Sequence, residues 1–305
     1  MRLVVFPGGF NWPIWVAQQQ GFLAANGVDV QVIDTPGSVF QLSGLIEGRF
    51  DLAITLVDNV IAYREGQGEV PIVGDDLCAL MAADTRVYPA LITAPDVCNY
   101  ADLRGRTLSV DAKTTGYANV LYAMLESGGL SPGDYAVESV GGVQQRFDAM
   151  LAGKQAGALF NSPFEGLLEA RGFHRLDTAL RVVGRYQGQV LAARLGWAQA
   201  NRPAVVGFIR AFLDALSWLY DPANREAAFA LFARHQPSAA TGAAAIAYDV
   251  LFGPQHGFPA DGRIDPLDLE TVIELRGRYG QPKKRLDPVA SRYYDSTFLD
   301  EASTQ

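Results

Sequence analysis

The sequence predicts an α/β fold organised as two lobes, and three observations carry that expectation. The chain has 305 residues, about twice the roughly 150 residues of an ordinary domain. Strand-like and helix-like stretches alternate from Leu3 onward, the pattern of parallel strands with helices on both faces. The alternation breaks twice, at residues 95–106 and 186–188, where the chain reads as connections between units.

Each element follows from local chemistry. Residues 3–6 are a short apolar run stopped by Pro7-Gly8-Gly9, a buried strand. Asn11 and Pro13 are helix-start signals; Trp15, Val16, Gln19 and Leu23 continue the helix to a cap at Asn26-Gly27. Residues 28–33 alternate and are β-branched, giving a second strand. Gly37-Ser38 opens a helix carrying Phe40, Leu42, Leu45 and Ile46. Residues 51–55 read as a third strand, Asp58-Asn59 as the start of a helix ending at Gly66, and 70–73 as a fourth strand. Residues 77–83 and 88–94 look like two strands joined by a short turn at 84–87. After the polar stretch 95–106 comes a second series: strand 108–111, helix 114–127, strand 136–140, helix 143–152, strand 156–160 and helix 163–171. Residues 181–185 lead through Gly188 into a strand at 190–193. From Asn201 the chain reads as helix, with Val205, Val206, Ile209, Phe212, Leu213 and Leu216 on one face.

Composition narrows the function classes. Apolar residues make up 49% and charged residues 19%, enough to build a core. A net charge of −8 and no basic cluster beyond Lys283-Lys284-Arg285 exclude a nucleic-acid face. The longest apolar stretch, 204–220, is interrupted by Arg210 and Asp214 and reads as a core helix. Met1-Arg2 is followed by only four apolar residues, too few for a secretory leader. The chain is therefore expected to be periplasmic or at the cell surface if a leader was removed, and cytoplasmic if Met1 is the native start. Cys78 and Cys98 either pair in an oxidising compartment or are separate buried small hydrophobes. His174, His235 and His256 lie far apart without metal-ligand spacing, so no metal and no cofactor is expected.

Four stretches, in order, resemble one family. They are Trp12-Pro13-Ile14-Trp15-Val16-Ala17-Gln18-Gln19-Gln20-Gly21-Phe22-Leu23 with Gly27-Val28-Asp29-Val30; Leu45-Ile46-Glu47-Gly48-Arg49-Phe50-Asp51-Leu52-Ala53; Asp102-Leu103-Arg104-Gly105-Arg106-Thr107-Leu108-Ser109-Val110; and Tyr294-Asp295-Ser296-Thr297-Phe298-Leu299. Together they resemble the substrate-binding proteins of nitrate/sulfonate/taurine-type ABC importers, the group that includes the thiamine-pyrimidine-precursor-binding proteins. The resemblance implies a type II periplasmic-binding-protein-like fold with two crossovers and a ligand cleft between the lobes. Mapped onto this chain, lobe one is 1–94 plus 188–305 and lobe two is 95–187. It also implies delivery of a small molecule to the membrane subunits of an ABC importer; a monomer is expected.

Ligands of open α/β sheets bind beyond the carboxyl ends of the strands, at helix N-termini. Those loops supply the candidate site residues: Phe10, Asn11 and Trp12; Ser38; Thr55, Asp58 and Asn59; Lys113, Thr114, Thr115, Gly116 and Tyr117; Asn161 and Phe164; and Tyr186. Free N–H groups and the helix dipole at Thr114-Thr115-Gly116 suit an anionic head such as a sulfonate or carboxylate, with Lys113 as a helper. Phe10, Trp12, Tyr117 and Tyr186 can wall an aromatic or apolar body. Asn11, Ser38, Asp58 and Thr114 equally suit helix capping, and an unpaired Asp58 facing the cleft favours an amine or pyrimidine N–H instead. The alternative is an enzyme on the same scaffold, similar to the pyrimidine-making enzymes, desulfinases or decarboxylases. No cysteine or histidine falls in a candidate loop, and no Gly-x-Ser-x-Gly or His-Glu-x-x-His motif is present, so no catalytic residue is expected.

Overall fold

Leu3, Val4 and Val5 are completely or almost completely buried, and this apolar run forms an inner strand of a first sheet. In the computed structural model, which describes residues 1–84, 89–237, 241–253 and 257–304, that sheet has the order β2-β1-β3-β10-β4. Its strands are β1 (Arg2–Val5), β2 (Gln31–Asp34), β3 (Leu52–Leu56), β4 (Leu77–Ala82) and β10 (Gln189–Arg194). The second sheet has the order β7-β6-β8-β5-β9, built from β5 (Ala90–Thr93), β6 (Thr107–Val110), β7 (Ala136–Ser139), β8 (Gly157–Phe160) and β9 (His174–Thr178). In each sheet four strands run one way and a single strand runs against them: β10 is antiparallel to its neighbours β3 and β4, and β5 to its neighbours β8 and β9. The fold is a two-lobed α/β architecture.

The helices of the first lobe are α1 (Trp12–Gln19), α2 (Phe22–Ala25), α3 (Ser38–Ile46) and α4 (Val57–Arg64); those of the second are α5 (Gly116–Ser127), α6 (Val143–Leu151), α7 (Phe164–Glu169) and α8 (Ala179–Val183). After β10 come α9 (Leu195–Ala200), α10 (Arg202–Tyr220), α11 (Arg225–His235), α12 (Ala243–Phe252), α13 (Pro266–Tyr279) and α14 (Thr297–Ala302). Helix α10 is long and apolar enough to cross a membrane, but its Val205, Phe208, Ile209, Phe212 and Leu216 are buried against the first sheet and Trp12. A second apolar cluster runs from Val57 and Ile61 through Val190 into Leu108, Leu121 and Met124 of the second lobe, with Leu269 and Val272 of α13. The lobes therefore share apolar contact, which the sequence did not reveal.

Three expectations are corrected. Residues 70–73 form no strand; Pro71 has no N–H to offer a ladder, and Val73 is 74% exposed. The runs 77–83 and 88–94 are not a hairpin, because β4 lies in the first sheet and β5 in the second. The chain thus changes sheet between β4 and β5, before 95–106, and Ala90–Thr93 sits with the second lobe's strands rather than the first's. All of the expected turn but Asp84 lies outside the described residues, as does His256. Strand β9 was not anticipated. The thiols of Cys78 and Cys98 are free; Cys78 is buried in β4 and Cys98 is exposed.

Candidate functional site

The parallel strands of both sheets end toward each other, so the loops after them and the helix starts that follow face a common cleft. A cavity of ≈ 70 Å³ lies there. Phe6 and Phe10 after β1, Ser38 at the start of α3, and Thr55, Leu56 and Asn59 where β3 turns into α4 form its first-lobe wall. Val110 and Asp111 after β6, Thr115, Tyr117 and Ala118 at the start of α5, Val143 and Arg146 in the first turn of α6, and Leu159 and Asn161 at β8 form the other. Gln189 closes it on the hinge side.

Most polar groups in this wall already serve the protein. Asn59 Nδ2 donates to Thr55 Oγ1 at 2.9 Å, Asn161 Nδ2 to Tyr117 Oη at 3.2 Å, and Thr115 Oγ1 to the Ala112 carbonyl at 2.9 Å. Asp111 Oδ2 accepts the Ser38 N–H at 3.1 Å. Arg146 differs. Its residue exposure is 7%, one amino group donates to the Leu159 carbonyl at 3.2 Å, and the guanidinium lies 5.9 Å from the Phe160 ring centre. Its Nε has no acceptor, and among the described residues it has no ion-pair partner. Burial pushes its pKa down, opposed by Asp111 and Tyr117. Arginine nevertheless remains charged in proteins, and a buried charge calls for a partner.

The other expected residues are placed as follows. Phe10, Ser38, Thr55, Asn59, Thr115, Tyr117 and Asn161 are brought together in the cavity wall. Trp12 is not: it is fully buried, with its ring 4.6 Å from Phe232 and 5.7 Å from Phe252, because α10 to α12 cover that face of α1. Asn11 caps nothing through its side chain; its Nδ2 donates to the Phe6 carbonyl at 2.7 Å and so braces the turn after β1. Asp58 is not unpaired. Arg276 Nε donates to its Oδ1 at 2.9 Å, and one terminal amino group donates to its Oδ2 and to the Thr114 carbonyl. Thr114 caps no helix; its N–H and hydroxyl bond Glu69 at 3.2 and 2.7 Å. Lys113 is exposed and away from the cavity wall. Gly116 is where it is because a Cβ would stand 2.5 Å from Tyr186 Oη and 2.6 Å from Asp58 Cβ. The start of α5 is thus covered by first-lobe carboxylates, which leaves Arg146 as the cation in the wall. Phe164 packs on Phe147 at 5.4 Å, and Tyr186 is buried 6.3 Å from the Tyr117 ring without lining the cavity.

Asp84, just past β4, and residues 187–189, which lead into β10, are bonded side by side next to the cavity. Ala83 and Asp84 N–H both donate to the Gln189 carbonyl at 2.9 and 3.1 Å, Gln189 N–H donates to Asp84 Oδ1 at 3.1 Å, and Gln187 Nε2 donates to the Asp84 carbonyl at 2.7 Å. Only glycine fits at 188, where a Cβ would lie 1.9 Å from Asp84 Oδ1. Burial, partly offset by the Gln189 N–H, pushes the Asp84 carboxyl up to about 7.

Solved structures share this fold. The chain is similar to the periplasmic nitrate-binding protein NrtA from Synechocystis PCC 6803, at 15% identity and a TM-score of 0.83, covering 99% of this chain and 87% of that one. It is similar to the ligand-binding component of an ABC-type import system from Staphylococcus aureus with zinc bound, at 12% identity and a TM-score of 0.78, covering 100% and 99%. The desulfurization enzyme DSZB is also similar, at 16% identity and a TM-score of 0.60, covering 99% and 98%. At these identities the likenesses show the fold. No curated protein matches the chain in sequence. The family model described as NMT1/THI5-like matches residues 11–225, a span that holds nearly every cavity-lining residue and both crossings. The chain belongs to the NMT1/THI5-like family.

Proposed function

We propose that this chain is a solute-binding protein that captures a small organic anion between its lobes and delivers it to the membrane subunits of an ABC importer, outside the cytoplasm. The observation that carries the reading is Arg146, a buried guanidinium in the cavity wall with an idle Nε and no carboxylate partner among the described residues. A sulfonate or carboxylate would satisfy it with charge-assisted hydrogen bonds. Phe6, Phe10, Val110, Val143 and Leu159 offer an apolar surround for the rest of the ligand. The fold likeness to a nitrate-binding protein and to an ABC import component supports transport.

The likeness to a desulfurization enzyme is the one observation that favours a catalytic reading. Against it, no cysteine or histidine among the described residues lines the cavity, and burial pushes the Cys78 thiol up to about 12, far from a nucleophile's range. Native mass spectrometry of the purified protein tests the proposal. A noncovalent adduct that is released on denaturation and appears in negative-ion mode is expected. A protein that carries no adduct and gains no thermal stability with any of a panel of small sulfonates, carboxylates and phosphates contradicts it.

A further inference from the structure

Two carboxylates reach across from one lobe to the other in opposite directions. Asp111, after β6 in the second lobe, accepts the Ser38 N–H at the start of α3 in the first, at 3.1 Å. Glu69, after α4 in the first lobe, accepts the N–H and hydroxyl of Thr114, just before α5 in the second, at 3.2 and 2.7 Å. Each lobe thus presents a carboxylate where the other has backbone N–H groups and the positive end of a helix, the favoured place for negative charge. A third contact lies beside the first. The Pro36 carbonyl accepts from Gly142 N–H and Gln145 Nε2, both at 3.1 Å, and these flank the turn of α6 that carries Arg146.

We infer that Asp111 and Glu69 are a reciprocal pair of positioning residues that hold the lobes shut and so set how long a bound solute is retained. The part concerning retention rests on the anion-binding reading above; the part concerning closure does not. A hydrogen bond to a charged group shifts an equilibrium by roughly tenfold or more, less where it is exposed as Glu69 is. Loss of both should therefore shift the lobes toward an open form by at least about tenfold. Solute release should accelerate by a similar factor, since affinity changes of this kind appear mainly in the off-rate.

Small-angle scattering on ligand-free wild type and on Glu69→Ala/Asp111→Ala tests closure without any ligand. The variant is expected to have a larger radius of gyration and a cooperative thermal melt. The Glu69→Gln/Asp111→Asn variant, which keeps acceptor oxygens at both places, should recover much of the closed form. Stopped-flow binding of ethanesulfonate then reads retention, with an off-rate about tenfold higher in the alanine variant. If wild type binds no anion, the proposed function fails and the scattering comparison still decides on the latch. A folded alanine variant whose scattering superposes on that of wild type, or an alanine and an amide variant that open equally, overturns the inference.

Discussion

The buried ion pair between Asp58 and Arg276 allows the account to be tested quantitatively. Their side chains are 2% and 0% exposed. Arg276 holds Asp58 through its Nε and one terminal amino group and also donates to the carbonyls of Thr114 and Gln67. Replacing it, Arg276→Met, leaves a carboxylate sealed among apolar groups and two carbonyls without their donor. Breaking one side of a buried pair costs about 3–5 kcal/mol, because the remaining charge is left uncompensated. Asp58→Asn should cost less, about 2–3 kcal/mol, because Arg276 keeps its carbonyl acceptors. The double variant Asp58→Leu/Arg276→Met removes both charges together and should be more stable than the sum of the single losses implies, by about 1–3 kcal/mol. Urea unfolding midpoints at constant slope provide the measurement. An Arg276→Met protein within about 1 kcal/mol of wild type, or strict additivity in the double variant, refutes the reasoning.

Trp12→Ala should destabilise the protein by about 3–5 kcal/mol through the cavity it leaves among Phe232, Tyr248 and Phe252. At a temperature where it is folded, it should bind solute within a few-fold of wild type, as calorimetry would show. Asp84 sets a pH dependence. Its folded carboxyl is raised to about 7, so the stability of its neutral form is fully present below about pH 4 and is lost as pH rises through about 7. Asp84→Asn should therefore match wild type near pH 4 and exceed it at pH 8, by on the order of 2–4 kcal/mol. Parallel stability profiles for the two proteins would contradict this.

How much was legible in the sequence follows from which forces are local. Short β-branched runs punctuated by glycine and proline marked most of the strands, because burial on both faces leaves an unbroken apolar stretch. The same signal cannot say which sheet a strand joins, so β4 and β5 looked like a hairpin although they belong to different lobes. Strand β9, with the sequence His-Arg-Leu-Asp-Thr, is a largely exposed edge strand and carries no apolar pattern to read. The cavity wall was partly legible because strand ends and helix starts are local features; Phe10, Ser38, Thr55, Asn59, Thr115, Tyr117 and Asn161 were found that way. What covers a loop is not local. Asp58 meets Arg276 across 218 positions of sequence, and Trp12 is buried by helices near the other end of the chain. Arg146 lies at the end of the first turn of α6, past the strand-end loops and helix starts that the sequence marks as candidates. It did leave a signal: it falls on the buried stripe formed by Val143, Phe147 and Met150, where a charge is out of place unless something pairs with it.

That unpaired guanidinium is the centre of the account, and Arg146→Gln probes it most directly. The solute to use is the anion recovered from the purified protein or, if none is carried, the tightest binder among small alkanesulfonates and carboxylates. Loss of a buried, charge-assisted contact should weaken binding by about 2–5 kcal/mol, at least thirtyfold. Calorimetric titration of wild type and Arg146→Gln at one pH and salt concentration, with equal thermal stability confirmed, is the deciding measurement. Near-complete loss of anion binding in the variant is the predicted result, and undiminished affinity would contradict the claim that the cavity is an anion site.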